Sequence, residues 1–429
     1  MGREKIQKNK IDNVVQKALG FVKSYYRIIG KKHGWHQFLG SNKVGIVATA
    51  QALLCFHYFQ EDFSEKQHAI ATIKQAQFLG KGDETLDGGW AYVTNASIFP
   101  TTECTAWVLL LLLEEGINAR ECLDKGIAWL LANHPTDVKN DLGWGSTKFD
   151  NEPRVYATAL ALRVLARGKY TTTNQFIKAK NWLIMVRNEE DGGWGEKRGS
   201  PSTFLHTAHA LITLRECGID PHSEILSEGC DWLLKMYDPE NLWNDLQRGG
   251  LVEHVNIDAP PGIVPSTQRV TYFHFTTPWV INALIACGRI NTIEVFRGIN
   301  WIVENCHNGY WNHPYLLSIK NKPMWAIHDS LLALKNFQAT FPQWNEIKQV
   351  ILKNGEITIK PISKARISIT QYFKRFLKSK ITRCCFSVIL VVFLLIAFGI
   401  LPIREGILGI LVPFLIAIVA NLVTKGSKK

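Results

Sequence analysis

Six tryptophans at a near-constant interval constrain this chain more than anything else in it. Trp35, Trp90, Trp144, Trp194, Trp243 and Trp311 each follow a Gly, Leu or Tyr, and they stand 55, 54, 50, 49 and 68 residues apart. The fullest copy is Asp191-Gly192-Gly193-Trp194-Gly195, with Asn181-Trp182-Leu183 before it and the run Ser202 to Leu214 after it. Each copy reads as one helix, a turn, a polar loop, and a second helix that opens on Ser or Thr and is rich in Ala, Leu and Val. Two helices per copy at a period near fifty predict a repeat architecture.

The six predicted pairs are 11–29 with 44–59, 66–79 with 103–113, 123–133 with 154–166, 174–187 with 203–217, 224–237 with 270–286, and 292–306 with 324–337. Glycine at the turn lets the chain take a left-handed conformation and end the first helix. The aromatic that follows is expected to fold back and tie one pair to the next. The second helices are apolar on nearly all sides, so each needs neighbours on both flanks. The fold class expected is therefore all-α: an (α/α)6 toroid over residues 1–342. Residues 244–268 read as a long loop, and Pro278 as a kink or restart inside the fifth inner helix.

The formal charge of +12 invites a nucleic-acid reading until it is mapped. Residues 1–342 are close to neutral, and the excess lies in residues 343–429, with 14 Lys and Arg against 3 acids. No basic groove is expected in the repeat region, and no nucleic-acid partner. Nine cysteines without a framework suit a reducing compartment, and no Cys-x-x-Cys pair points to zinc.

The tail reads differently. Residues 343–383 form a basic amphipathic connector. Residues 384–401 and 406–423 are then two uncharged 18-residue segments, each about 27 Å long as a helix and so able to span a bilayer. With Lys378, Lys380 and Arg383 on one side and Lys425, Lys428 and Lys429 on the other, a two-helix transmembrane hairpin (384–429) is expected. That predicts a multi-pass membrane protein with the repeat domain and both termini cytoplasmic, its basic connector on anionic lipid. A protein partner or homo-oligomer stays open.

The repeats resemble those of the squalene and oxidosqualene cyclases and of protein prenyltransferase β subunits. The resemblance is carried by Trp182-Leu183 with Asp191-Gly192-Gly193-Trp194-Gly195, by Asp87-Gly88-Gly89-Trp90 and by Gly143-Trp144-Gly145. It covers about residues 10–340 and implies an α/α toroid. In the cyclases an Asp of an Asp-x-Asp-Asp-Thr-Ala run protonates an alkene in an aromatic-lined cavity. Here the matching registers are Thr101-Thr102-Glu103-Cys104-Thr105-Ala106, Arg154-Val155-Tyr156-Ala157-Thr158-Ala159 and Thr203-Phe204-Leu205-His206-Thr207-Ala208. The Thr-Ala steps match and the acids do not; only Glu103 falls on the proton-donating position. It reads either as an acid or as a solvated cap.

The prenyltransferases hold zinc with an Asp-x-Cys pair and a later His. The fifth inner helix instead reads Tyr272-Phe273-His274-Phe275-Thr276-Thr277, and His328-Asp329 lies out of register. Cys306-His307 is similar to the ligand pair of the lanthionine cyclases but lacks their third ligand. No metal or other cofactor is expected. His206 and His209 lie three apart on one helix and could meet His274, His328 and Asp329 inside a ring, for acid-base work or to bind a charged group; as plain core histidines they need no such role. Trp107, Tyr156, Phe204, Phe275 and Trp325 lie near inner-helix starts, as a carbocation-guiding cavity or an ordinary core would place them. The leading expectation is a terpenoid cyclase-like protein taking an apolar, isoprenoid-like ligand, with Glu103, His206 and His209 as catalytic candidates. The alternative is a toroid without catalysis that senses a ligand or docks a protein.

Overall fold

The computed structural model describes residues 3–39, 44–79, 86–92, 99–116, 119–133, 142–147, 150, 152–244, 250–257, 266–273, 276–312 and 322–362, with the backbone alone for Phe38, 250–257 and 266–273. Residues 1–361 make one compact unit. Its outer helices are α1 (Lys8–Ser24), α3 (Lys66–Gln75), α5 (Arg120–Ala132), α7 (Asn174–Met185), α9 (Glu224–Lys235) and α11 (Ile293–Glu304). Its inner helices are α2 (Ile46–Tyr58), α4 (Thr102–Glu114), α6 (Val155–Arg167), α8 (Phe204–Glu216), α10 (Thr276–Ala286) and α12 (Met324–Ala339). The outer ones bury a stripe, as Ile11, Val14, Val15, Ala18, Leu19 and Val22 show on α1. The inner ones are buried almost all round, as α2 is from Ile46 to Phe56.

The inner helices pack in sequence, α2 on α4, α4 on α6, α6 on α8, α8 on α10 and α10 on α12, and α12 returns to α2. One hydrogen bond repeats around this circle. The first backbone N–H of an inner helix donates to the carbonyl two residues past the tryptophan of the following turn: Ile46 to Tyr92 at 2.9 Å, Thr102 to Ser146 at 2.9 Å, Val155 to Glu196 at 2.8 Å. The last repeat uses the same rung to reach the first, Met324 to Gln37 at 2.9 Å. The ring is closed.

Each turn tryptophan is a cap. All six indoles are at most 1 % exposed. Their Nε1–H groups donate to carbonyls at the end of the preceding outer helix: Trp35 to Val22, Trp90 to Ile73, Trp144 to Leu130, Trp194 to Leu183, Trp243 to Leu233 and Trp311 to Ile302, all at 2.7–2.8 Å. They lie in last turns, where carbonyls run short of intrahelical partners, although those of Val22 and Ile73 also accept from the backbone N–H of Tyr25 and Ala76. The backbone N–H of four of these tryptophans donates to a threonine of the following inner helix, namely Thr49, Thr105, Thr158 and Thr207. The indole also reaches the next outer helix. A Cβ on Gly126 of α5 would stand 2.7 Å from Trp90, and one on Gly229 of α9 2.8 Å from Trp194. Pair is thus tied to pair, as the turn residues suggested.

Strands qualify the all-α expectation. A three-stranded antiparallel sheet joins β1 (Arg3–Gln7), β8 (Ile347–Lys353) and β9 (Glu356–Pro361) in the order β1-β8-β9. Residues 347–361, read as connector, therefore lie in the compact unit. Short pairs join β2 (Arg27–Ile29) to β3 (Lys32–Gly34) and β4 (Phe38–Leu39) to β7 (Lys322–Pro323). A hairpin of β5 (Gly250–Ile257) and β6 (Ser266–Phe273) runs through the segment expected to be loop and the start of the fifth inner helix. The β-branched run Val270-Thr271 extends rather than coils. Helix α10 begins at Thr276 instead, which puts Pro278 in the first turn, where its missing N–H breaks no bond and no kink arises.

The membrane expectation is corrected. No helix among the described residues is long and apolar enough to cross a membrane. A two-span, multi-pass placement is therefore not supported, and segments 384–401 and 406–423 lie outside the described residues.

Candidate active site

Because each rung joins the first residue of one inner helix to the turn that leads into the next, these helices run the same way round the ring, with their N-termini at one mouth and their C-termini at the other. Glu103 is in the first turn of α4, half-buried at the N-terminal mouth, behind the Thr101 cap whose side chain accepts from the Cys104 N–H. Two phenols hold its carboxylate. Tyr92 Oη donates to Oε2, and Tyr156 Oη, from the first turn of α6, donates to Oε1 at 3.1 Å. Both carboxylate oxygens thus accept a phenolic hydrogen bond.

Beneath Glu103 the ring is filled by a layer of aromatic and imidazole side chains. Tyr156 meets His209 edge-on at 4.8 Å, His209 lies 4.1 Å from Trp279, Trp279 is 6.4 Å from Trp107, and Trp107 meets His328 edge-on at 4.9 Å. Tyr58 of α2 ends this chain of rings, 5.8 Å from His328. Every inner helix contributes a ring, and apart from the half-buried Tyr58 none is more than 7 % exposed. This layer divides the interior into two mouths.

His328 and Asp329 anchor it. His328 Nδ1 lies 2.9 Å from Asp329 Oδ1, Trp279 Nε1–H donates to Oδ2 at 2.8 Å, and Tyr58 Oη lies 3.4 Å from His328 Nε2. Burial pushes the Asp329 carboxyl above its ordinary value, although His328 and Trp279 oppose it. A carboxyl raised on folding contributes stability below its ordinary value of 3.8 and loses it as pH rises through the raised one. The stability difference between wild type and Asp329→Asn, followed by urea unfolding from about pH 4 to pH 8, is therefore expected to move steadily in favour of the variant.

The remaining sequence candidates separate. His206 is buried, with Nδ1 2.7 Å from the cap hydroxyl of Thr203. Phe204 faces outward, 5.6 Å from Trp232 of the outer helix α9. Trp325 is 6 % exposed in the first turn of α12. His274 and Phe275 lie outside the described residues. Sequence reading missed Tyr92. Its signal is its place two residues after Trp90, where the chain crosses an inner-helix mouth; Glu196, two after Trp194, pairs there with Arg154. Among the described residues one group has ligand atoms close enough for a metal, His33, Glu65 and His68, on β3 and around the start of α3 rather than on any inner helix.

At the opposite mouth a cavity of about 500 Å³ is lined by the last turns of all six inner helices. There Glu216 of α8 bridges Arg163 and Arg167 of α6: Arg163 Nε donates to Oε1 at 3.1 Å, and Arg167 to Oε1 at 2.8 Å and Oε2 at 3.0 Å. Burial pushes the Glu216 carboxyl up, but the two guanidinium groups outweigh it and hold it below its ordinary value.

The fold is that of the terpenoid cyclase-like α/α toroids, as the Gly-Trp turns indicated. No family model matches the chain. Among curated relatives, a squalene–hopene cyclase of Zymomonas mobilis is 21 % identical over 281 residues, which is 58 % of this chain and 40 % of that enzyme. One from Bradyrhizobium diazoefficiens is 20 % identical over 54 % of this chain and 37 % of its own length. The chain thus spans about two fifths of these relatives. Among solved structures, the type II terpene cyclase MstE from Scytonema aligns at a TM-score of 0.52 and 14 % identity, over 78 % of this chain and 99 % of that one. A GH76 α-mannanase of Bacteroides thetaiotaomicron aligns at 0.54 and 14 %, over 77 % and 96 %.

Proposed function

We propose that the N-terminal mouth is the working site of an isoprenoid cyclase-like enzyme in which Glu103 gives a proton to an alkene of an apolar polyprenyl substrate. The observation that carries this is the Glu103 carboxyl, clamped by Tyr92 and Tyr156 above the aromatic layer. Protonating an alkene leaves a carbocation and a carboxylate. The phenols stabilise the second, and the faces of Tyr156, Trp107 and Trp279 favour the first. Asp329 is the weaker donor candidate, since it is 1 % exposed within the layer while Glu103 is half-buried at the mouth. The squalene–hopene cyclases and an MstE variant bound to geranylgeranyl dihydroxybenzoate, aligned at a TM-score of 0.50, support an isoprenoid substrate class. The mannanase has the same fold, but glycoside hydrolysis takes a facing pair of carboxylates, and the groups holding Glu103 are phenols.

The test is incubation of the purified chain with squalene and with geranylgeranyl dihydroxybenzoate, with cyclised products measured by mass spectrometry. Glu103→Gln is expected to lower product formation by about 100-fold or more. Undiminished product from that variant would remove Glu103 from the chemistry. No product from wild type, with an isoprenoid retained on the purified protein, would favour the ligand-binding toroid instead.

A further inference from the structure

We propose that the cavity at the C-terminal mouth of the ring binds a small molecule through an oxyanion group, a phosphate or a carboxylate. This site stands at the mouth opposite Glu103 and is independent of the chemistry assigned there.

Two buried donors that line this cavity lack acceptors. Arg163 is 4 % exposed, and among the described residues its one hydrogen bond is from Nε to Glu216; Nη1 has no partner. Asn282 of α10 is 2 % exposed; its Oδ1 accepts from Asn336, and its Nδ2 has no partner. Both line the cavity, with the Arg163 guanidinium 6.0 Å from the centre of the Trp279 ring. A buried N–H without an acceptor is costly, and a buried guanidinium without one more so.

The charge count points the same way. Glu216 is shared between Arg163 and Arg167, and Glu114 is taken by Arg167. Lys335 of α12, half-buried and also lining the cavity, makes no ion pair among the described residues. Six helix C-termini converge here, and their partial negative charge opposes an anion. Arg215 answers part of that by donating to the carbonyls of Ala286 and Ile219, which leaves three cations facing two carboxylates. An oxyanion at the floor accepts from Arg163 and Asn282 and faces Lys335. A guanidinium fork suits either a phosphate or a carboxylate.

The experiment is isothermal titration of the full chain with sodium phosphate, pyrophosphate and citrate at low ionic strength. One-site binding that weakens with added salt is expected. Preference for pyrophosphate over citrate assigns a phosphate, and the reverse a carboxylate. Asn282→Asp places a negative charge at the floor and is expected to abolish binding; Arg163→Gln is expected to weaken it about tenfold or more. Because Arg163 also holds Glu216, Lys335→Gln, which breaks no hydrogen bond or ion pair among the described residues, carries the test if that variant does not fold; it is expected to weaken binding several-fold. No heat with any of the three anions, or equal affinity in Asn282→Asp and Lys335→Gln as in wild type, overturns the proposal.

Discussion

Replacing Trp194 by alanine is expected to cost the fold about 3–5 kcal/mol, the range for removing a large buried aromatic. Three separate supports fail together. The indole is fully buried, its Nε1–H satisfies the Leu183 carbonyl at 2.8 Å, and its far edge fills the notch that Gly229 leaves in α9. Trp194→Phe keeps most of the buried surface and loses the hydrogen bond, so a smaller loss of about 1–3 kcal/mol is expected, mainly from the unpaired carbonyl. Gly229→Ala attacks the contact from the other side, because its Cβ would stand 2.8 Å from Trp194 and 2.9 Å from Leu211. Urea unfolding of the three variants measures each loss. An Ala variant as stable as wild type would mean that these turns do not join the pairs.

The second large effect concerns Glu216. Removing Glu216 leaves the buried Arg163 without an acidic partner, and Arg167, which keeps Glu114, would then repel it across one cavity wall. Glu216→Gln is expected to lose about 3 kcal/mol at neutral pH, toward the low end for buried pairs because the side chain keeps 23 % of its surface in water. The sign of the pH dependence follows from its carboxyl being held below the ordinary 4.5. Its contribution is complete above that value and is lost as pH falls through the depressed one. Wild type and variant should therefore converge in acid. Asp329, whose carboxyl is pushed the other way, should show the opposite slope.

Much of this was legible because the turns carry geometry in their residue types. Gly-Trp marks an indole cap, but the glycine does not stop the helix: Gly88 and Gly192 adopt φ of +106° and +82° inside the turn, whereas α3 and α7 have already ended at Ala76 and Val186 with φ of -84° and -88°. The Thr-Ala steps at Thr105, Thr158 and Thr207 were legible too, and the structure gives them a second meaning as acceptors for turn tryptophans. Arg163 and Arg167 escaped notice because basic residues in a last helical turn answer the helix dipole in any protein. Only the ring brings Glu216, fifty residues on, against them. The β5–β6 hairpin was hidden by a polar, Pro-rich stretch that periodicity cannot distinguish from loop.

Closure by the Met324–Gln37 rung and the β1–β8 pairing has a consequence during synthesis. The open flank of α2 is made early and its partner α12 last, some 280 residues later. At ribosomal speeds of about 5–20 residues per second, a nascent chain exposes that apolar flank for roughly 15–60 s. Contact order of this kind makes the final seam the slow step in folding, and makes holdase chaperones the natural companions of the unfinished chain.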